Sequence, residues 1–199
     1  MKIIAFTGYA GSGKTAALNA LLSYCVLEDA RTLLPEGRFP MPRGMSFAGA
    51  LRSLCMAALP KVPRSYFDGT KAQKETPIPG LEPWTGRAIL QHIGTEGFRA
   101  VSPNVWVDQL EHQVKGTPDI VDENWVLGVI DDVRFPNEAA MVRKYGKLYR
   151  IDRPGNAGAA GAPHESERHI DSLEVDGVIL NDGTLDDLKT KVIELLRSI

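Results

Sequence analysis

The eight residues from Gly8 to Thr15, GYAGSGKT, constrain the fold of this chain more than any other stretch. They fit G-x-x-x-x-G-K-[ST], in which glycines let backbone N–H groups curl round phosphate oxygens, the lysine adds positive charge and the last hydroxyl can hold Mg²⁺. The flanks agree with the motif. Lys2 to Phe6 (KIIAF) is a short apolar run of strand type, and Ala17, Leu18, Leu21, Leu22 and Cys25 recur at helical spacing behind the loop. Strand, glycine loop and helix in that order turn the helix N-terminus and its partial positive charge toward phosphate. Gly8, Ala10, Gly11, Ser12, Gly13, Lys14, Thr15 and Ala16 are therefore the candidate phosphate-binding residues.

Composition narrows the partners. The 199 residues, 43% of them hydrophobic, suffice to bury the core of a single domain. A net charge of −2 gives no broad footprint for nucleic acid, so positive charge must be local, small phosphorylated ligands are the expected partners and no stable nucleic-acid binding is expected. Cys25 and Cys55 lie on apolar helix-type segments outside any C-x-x-C pair, which suits buried thiols in a reducing compartment. No apolar run approaches ~18 residues, and Met1-Lys2 leads directly into strand-type sequence, so neither a membrane span nor a signal peptide is expected and the cytoplasm is the expected location.

Helix-type and strand-type segments then alternate without a repeat. Glu28 to Arg43 carries three prolines and reads as connection. Ser46 is placed to cap a helix with an apolar stripe of Phe47, Leu51, Leu54, Cys55 and Ala58. Lys61 to Pro83, with Pro63, Pro77, Pro79 and Pro83, is too long for a simple connector. Thr85 to Val101 and Pro103 to Val114 read as two helices, the second capped by Ser102. Strands are expected at Trp125 to Ile130, Lys147 to Ile151 and Val178 to Leu180, with Thr184 and Asp187 capping a last helix. The pattern argues for an α/β fold: a parallel sheet flanked by helices on both faces, with the phosphate loop after its first strand.

Chemistry-bearing residues cluster at three further places. Asp131 and Asp132 end a buried strand, where ligands of such sheets gather, and alternation along an extended chain puts Asp132 and Arg134 on one face with Asp131 turned away. Asp132 is accordingly the expected acid of a magnesium shell and Arg134 a phosphate ligand. Arg87, Gln91, Thr95 and Arg99, spaced by four, form a slowly drifting polar stripe whose arginines can fork onto phosphate and whose amide can read a base edge. Gly94 and Gly97 within that helix point to a closely approached backbone or a bend. From Arg153 to His164 the chain is nearly all glycine, alanine and proline, which suits a lid closing over phosphates with Arg150 and Arg153 at its root. Asn181, after the last strand, is expected to border a nucleotide base.

Taken together, GYAGSGKT, SFAGALRSL, KETPI, GRAILQHIGTEGFR with NVWVD, VIDDVRFPNEA, the glycine-rich stretch with HESE, and VILNDGTLDDL resemble the deoxynucleoside monophosphate kinases of tailed bacteriophages, in the same order over nearly the whole chain. The resemblance implies an NMP-kinase-like P-loop fold that moves the γ-phosphoryl of ATP, with Mg²⁺, onto a deoxynucleoside 5′-monophosphate in the (host) cytoplasm. It implies ATP and Mg²⁺ binding by Lys14 and Thr15, a phosphoryl centre at Asp132 and Arg134, joined by Arg153 of the lid, and an acceptor site of Phe47, Arg52, Arg87, Gln91, Thr95, Arg99 and Trp106. Gly49 and Arg52 stand where related chains often show an acid and a lysine. The organisation so implied is one kinase domain: a core at roughly 1–26, 120–152 and 174–199, an acceptor region at roughly 44–118 and a lid at roughly 153–168. A kinase acting on a hydroxyl, such as dephospho-coenzyme A kinase, is the alternative, and it would need Asp131 or Asp132 as a proton acceptor. Oligomeric state is left open, the long middle connection and second helix offering a surface for a homodimer.

Overall fold

The computed structural model describes residues 1–26, 41–121, 124–155 and 168–198. These group into two compact units, Met1–Ser46 with Glu111–Ile199, and Phe47–Leu110.

The first unit is built on β1 (Lys2–Thr7), α1 (Lys14–Val26) and β2 (Met41–Met45), and resumes after the second unit with β3 (Ile120–Val121), β4 (Asn124–Ile130), α7 (Pro136–Tyr145), β5 (Gly146–Asp152), β6 (Gly177–Leu180) and α8 (Leu185–Glu194). The sheet order is β2-β4-β1-β5-β6, every neighbouring pair parallel, with β3 added antiparallel to β4. The central strands β1 and β4 are near-continuous apolar runs, as expected where helices cover both faces. Ile4 and Phe6 of β1 meet Ala17 and Leu21 of α1 and Leu188 and Val192 of α8 in one cluster, while alternation turns Ile3 and Ala5 to the other face, where α7 packs on β1 and β5. Complete burial of Ile4 and Phe6 contributes roughly 1.5–3 kcal/mol each. Because β1 is central, its carboxyl end opens straight into the Gly8–Thr15 loop, between the carboxyl ends of β4 and β5.

The strands expected at Lys2, Trp125, Lys147 and Val178 are all present. Two differences have local causes. Met41–Met45 is a strand and not connection; Pro42 and Gly44 hide it, and an edge position, where one side needs no ladder bonds, tolerates that proline. Ser46 does not cap the next helix, which begins at Gly49 with Ala48 before it, and its hydroxyl is engaged elsewhere. The rest of the expected connection, 27–40, lies outside the described residues.

The second unit contains α2 (Gly49–Ala58), α3 (Ser65–Asp68), α4 (Lys71–Glu75), α5 (Gly86–Gln91), a π-helix (His92–Arg99) and the start of α6 (Val105–Lys115). Its interior includes Leu51, Cys55, Phe67, Ile78, Ile89 and Leu110. Lys61 to Pro83 is ordered by two short helices, the second opened by a reciprocal cap between Thr70 and Gln73. The helix expected over Thr85 to Val101 changes form at His92, and α6 starts two residues after Pro103, with Val105 N–H bonded to the Ser102 carbonyl. No helix of the described residues is long and apolar enough to cross a membrane.

Candidate active site

The phosphate loop is shaped by three glycines in the left-handed half of φ space, Gly8 at 139°, Gly11 at 80° and Gly13 at 110°. Space demands two of them as well. A Cβ on Gly8 would lie 2.5 Å from the Ile151 carbonyl oxygen, and one on Gly13 would lie 2.7 Å from Asn181 Nδ2. Lys14 Nζ folds back to donate to the Gly8 and Tyr9 carbonyls, at 2.7 Å each. Ser12 Oγ is 1% exposed and has no hydrogen-bond partner among the described residues, an arrangement that costs about 1–3 kcal/mol unless an acceptor arrives. A bare hydroxyl, a lysine held on its own loop and a helix N-terminus fit a polyphosphate.

The acids do not follow the alternation expected of them. β4 stops at Ile130, so Asp131 to Arg134 are no longer extended strand, and it is Asp131 whose Oδ2 accepts from Thr15 Oγ1 at 2.7 Å. Asp132 Oδ2 accepts from Ser46 Oγ at 2.5 Å, which ties the end of β4 to the end of β2. Asp131 therefore does not turn away from the loop, and Asp132 is not the acid bonded to Thr15. Arg134 is half-buried and its backbone is fixed by Glu138: Oε2 of this 2% exposed carboxylate accepts from Arg134 N–H at 2.8 Å and Phe135 N–H at 3.1 Å. Glu138 sits in the first turn of α7, where the helix dipole favours a negative charge. Glu138 is thus a positioning residue for Arg134 that its sequence context does not single out.

On the other side of the loop, a cleft of about 270 Å³ is lined by Tyr9, Ser12, Arg150, Asp152, Arg153 and Leu180 among others. Arg150 is held by Asp152 at 2.9 Å, its partner two residues along the same face of β5, and Arg153 is exposed at the rim. Tyr9 hydroxyl donates to Asp171 at 2.5 Å, joining the loop to the 3₁₀ turn Ile170–Ser172. Asn181 Nδ2 donates to the Ser12 carbonyl at 2.8 Å while its N–H donates to Asp152. This side-chain bond is to the phosphate loop itself, a bracing contact that was not anticipated. The expected lid lies, for residues 156–167, outside the described residues, and His164, Glu165 and Glu167 with it.

In the second unit, Arg87, Gln91, Thr95 and Arg99 are all half-buried. Arg87 pairs with Glu75 at 3.2 Å and Arg99 donates to the Pro103 carbonyl at 3.3 Å. Arg52 is half-buried on α2. Phe47 and Trp106 are instead buried, 4% and 7% exposed, and Trp106 Nε1 donates to the Gly94 carbonyl at 3.1 Å. The one donor of this indole is thus engaged by the Gly94 carbonyl.

Comparison with known proteins gives four matches. The model of a family described as deoxynucleotide monophosphate kinase matches residues 56–192. A protein of Acanthamoeba polyphaga mimivirus, provisionally named a deoxynucleotide monophosphate kinase, is 30% identical over 201 residues, covering 97% of this chain and 95% of its own. Among solved structures, TT1252 of Thermus thermophilus aligns over 100% of this chain and 97% of its own with a TM-score of 0.44 at 14% identity. The APS kinase CysC of Mycobacterium tuberculosis, in a mutant form, aligns over 98% of this chain and 96% of its own with a TM-score of 0.37 at 16% identity.

Proposed function

The chain belongs to the deoxynucleotide monophosphate kinase family, and from that premise we propose that it transfers the γ-phosphoryl of ATP to a deoxynucleoside 5′-monophosphate, giving a deoxynucleoside diphosphate and ADP. The observation that carries this reading is the Thr15–Asp131 hydrogen bond, which sets a hydroxyl and a carboxylate side by side at the mouth of a phosphate loop. Thr15 and Asp131 are the groups to hold Mg²⁺ directly or through its waters, and the ion would neutralise charge on the phosphates it binds.

The proposed reaction asks little covalent chemistry of the protein. A nucleoside monophosphate has a second pKa near ~6, so the attacking oxygen is already ionised at neutral pH and no general base is required. Both acids here are occupied by hydroxyl donors, Asp131 by Thr15 and Asp132 by Ser46, in keeping with supporting roles. Lys14 leaves the Gly8 and Tyr9 carbonyls for the phosphates, Ser12 Oγ gains its missing partner, and the backbone N–H groups of the loop hold the donor in line. Arg134, fixed from behind by Glu138, and Arg153 supply positive charge to the transferring group. The cleft between Tyr9 and Leu180 takes the nucleoside end of ATP, with Asn181 bracing the loop beside it. The column Arg87, Gln91, Thr95 and Arg99 takes the acceptor, together with Arg52: arginines for its phosphate, Gln91 for its base.

An ADP-release assay across the four deoxynucleoside monophosphates, with ribonucleotides and dephospho-coenzyme A as controls, tests the reading. ADP release that depends on a deoxynucleotide is expected, with Lys14→Ala lowering it about 100-fold or more and Arg99→Ala mainly raising the acceptor KM. Release that depends only on dephospho-coenzyme A would overturn the substrate assignment.

A further inference from the structure

The chain from His92 to Arg99 is a π-helix over its whole length of eight residues, where π geometry ordinarily appears as a single turn inside an α-helix and often at a functional site. The form has a consequence for the acceptor column. In an α-helix, steps of four residues overshoot a full turn by about 40°, so three steps from Arg87 to Arg99 would drift about 120° and split the column between two faces. Bonding from i to i+5 puts more residues in each turn, so the steps from Gln91 to Thr95 and from Thr95 to Arg99 fall short of a full turn and reverse the drift of the first step. All four residues are half-buried, as are Ala88, Leu90 and Ile93, while His92 and Glu96 are exposed.

The features that hold this register lie in the same unit. Gly94 is buried, and a Cβ there would come 2.4 Å from Leu51 Cδ2; Leu51 is itself only 6% exposed and has little room to turn aside. Trp106 Nε1 donates to the Gly94 carbonyl, and the Phe98 ring stands edge-on to Trp106 at 5.7 Å between centroids. A side chain at 94 would force Leu51 or the helix itself to shift, and loss of the indole N–H would release the carbonyl at the same residue. We propose that Gly94 and Trp106 are positioning residues that maintain the π register, and that this register aligns Arg87, Gln91, Thr95 and Arg99 to receive the acceptor nucleotide. The inference rests on the acceptor reading of that column.

Steady-state kinetics on Gly94→Ala, Gly94→Ala with Leu51→Val, Trp106→Phe and Arg99→Ala tests it, with thermal melting to follow folding. Gly94→Ala should raise the deoxynucleotide KM about tenfold and leave the ATP KM unchanged. Leu51→Val, which removes the atom in the way, should bring the KM back toward the parent value, and Trp106→Phe should reproduce the single-site effect with the ring volume largely kept. An acceptor KM that rises in Arg99→Ala but in neither positioning variant overturns the register proposal and leaves the acceptor reading standing. An unchanged acceptor KM in Arg99→Ala defeats the acceptor reading, and this inference with it. Losses shared equally between ATP and acceptor, or not relieved by Leu51→Val, mark general destabilisation and also overturn it. Should Gly94→Ala fail to fold, Trp106→Phe decides by the same split.

Discussion

Single atoms decide which carboxylate serves the phosphate loop. Asp131 and Asp132 are neighbours with the same chemistry, yet one is bonded to Thr15 and the other to Ser46. Asp131→Asn should therefore raise the Mg²⁺ concentration needed for half-maximal rate about tenfold or more, while Asp132→Asn should leave it near the parent value. A Mg²⁺ titration of both variants checks this, and the opposite ranking would return the role to Asp132. The loop residues could be read from sequence because glycine freedom, lysine charge and a hydroxyl are needed at fixed spacing. The acid could not, because alternation holds only while a strand lasts, and β4 ends one residue before the pair. Glu138 escaped for a related reason: a glutamate in the first helical turn is common everywhere, and only the fold shows that the two N–H groups it satisfies belong to Arg134 and Phe135.

At the level of elements, the apolar strands and the cap of the last helix were the readable parts. Thr184 Oγ1 accepts from Asp187 N–H at 3.2 Å while the Asp187 carboxylate accepts from Thr184 N–H at 2.7 Å, the reciprocal cap expected for α8. Thr184→Ala should cost about 1 kcal/mol, measurable as a lower urea midpoint with an unchanged slope. No change in the midpoint would mean that α8 is held by packing of Leu188 and Val192 alone. β2 was unreadable because its stability comes from pairing with β4, not from MPRGM, which lacks β-branched residues altogether. The π-helix was half legible. Gly94 and Gly97 signalled an irregular helix, but a period of 3.6 fitted the four-residue spacing well enough to conceal the change of form.

At the scale of the whole molecule, the order of elements carried most of the fold. A strand, a phosphate loop and a helix, followed by further strands separated by helices, leave a parallel sheet with its first strand in the middle as the economical arrangement. Composition did not mark the bounds of the second unit, Phe47–Leu110, which falls inside the stretch of roughly 44–118 that the resemblance sets apart. One anchor of the first unit lies where the chain re-enters it. Hydrogen bonds from Lys144, Tyr145 and Lys115 hold the Glu111 carboxyl down from 4.5 to about 2. A carboxylate lowered in the folded state stabilises fully above its ordinary value, and that stabilisation is lost as the pH falls toward about 2. Glu111→Gln should therefore flatten the acid limb of stability between about pH 4.5 and 2, read from urea midpoints in that window; an unaltered limb would show the network to be without weight. The central claim is that a phosphoryl group passes from one nucleotide to the phosphate of another. Its most direct test is to follow γ-labelled ATP with a deoxynucleoside monophosphate and separate the products: the label should appear as the β-phosphate of the deoxynucleoside diphosphate in step with ADP, and label recovered only as inorganic phosphate would contradict it.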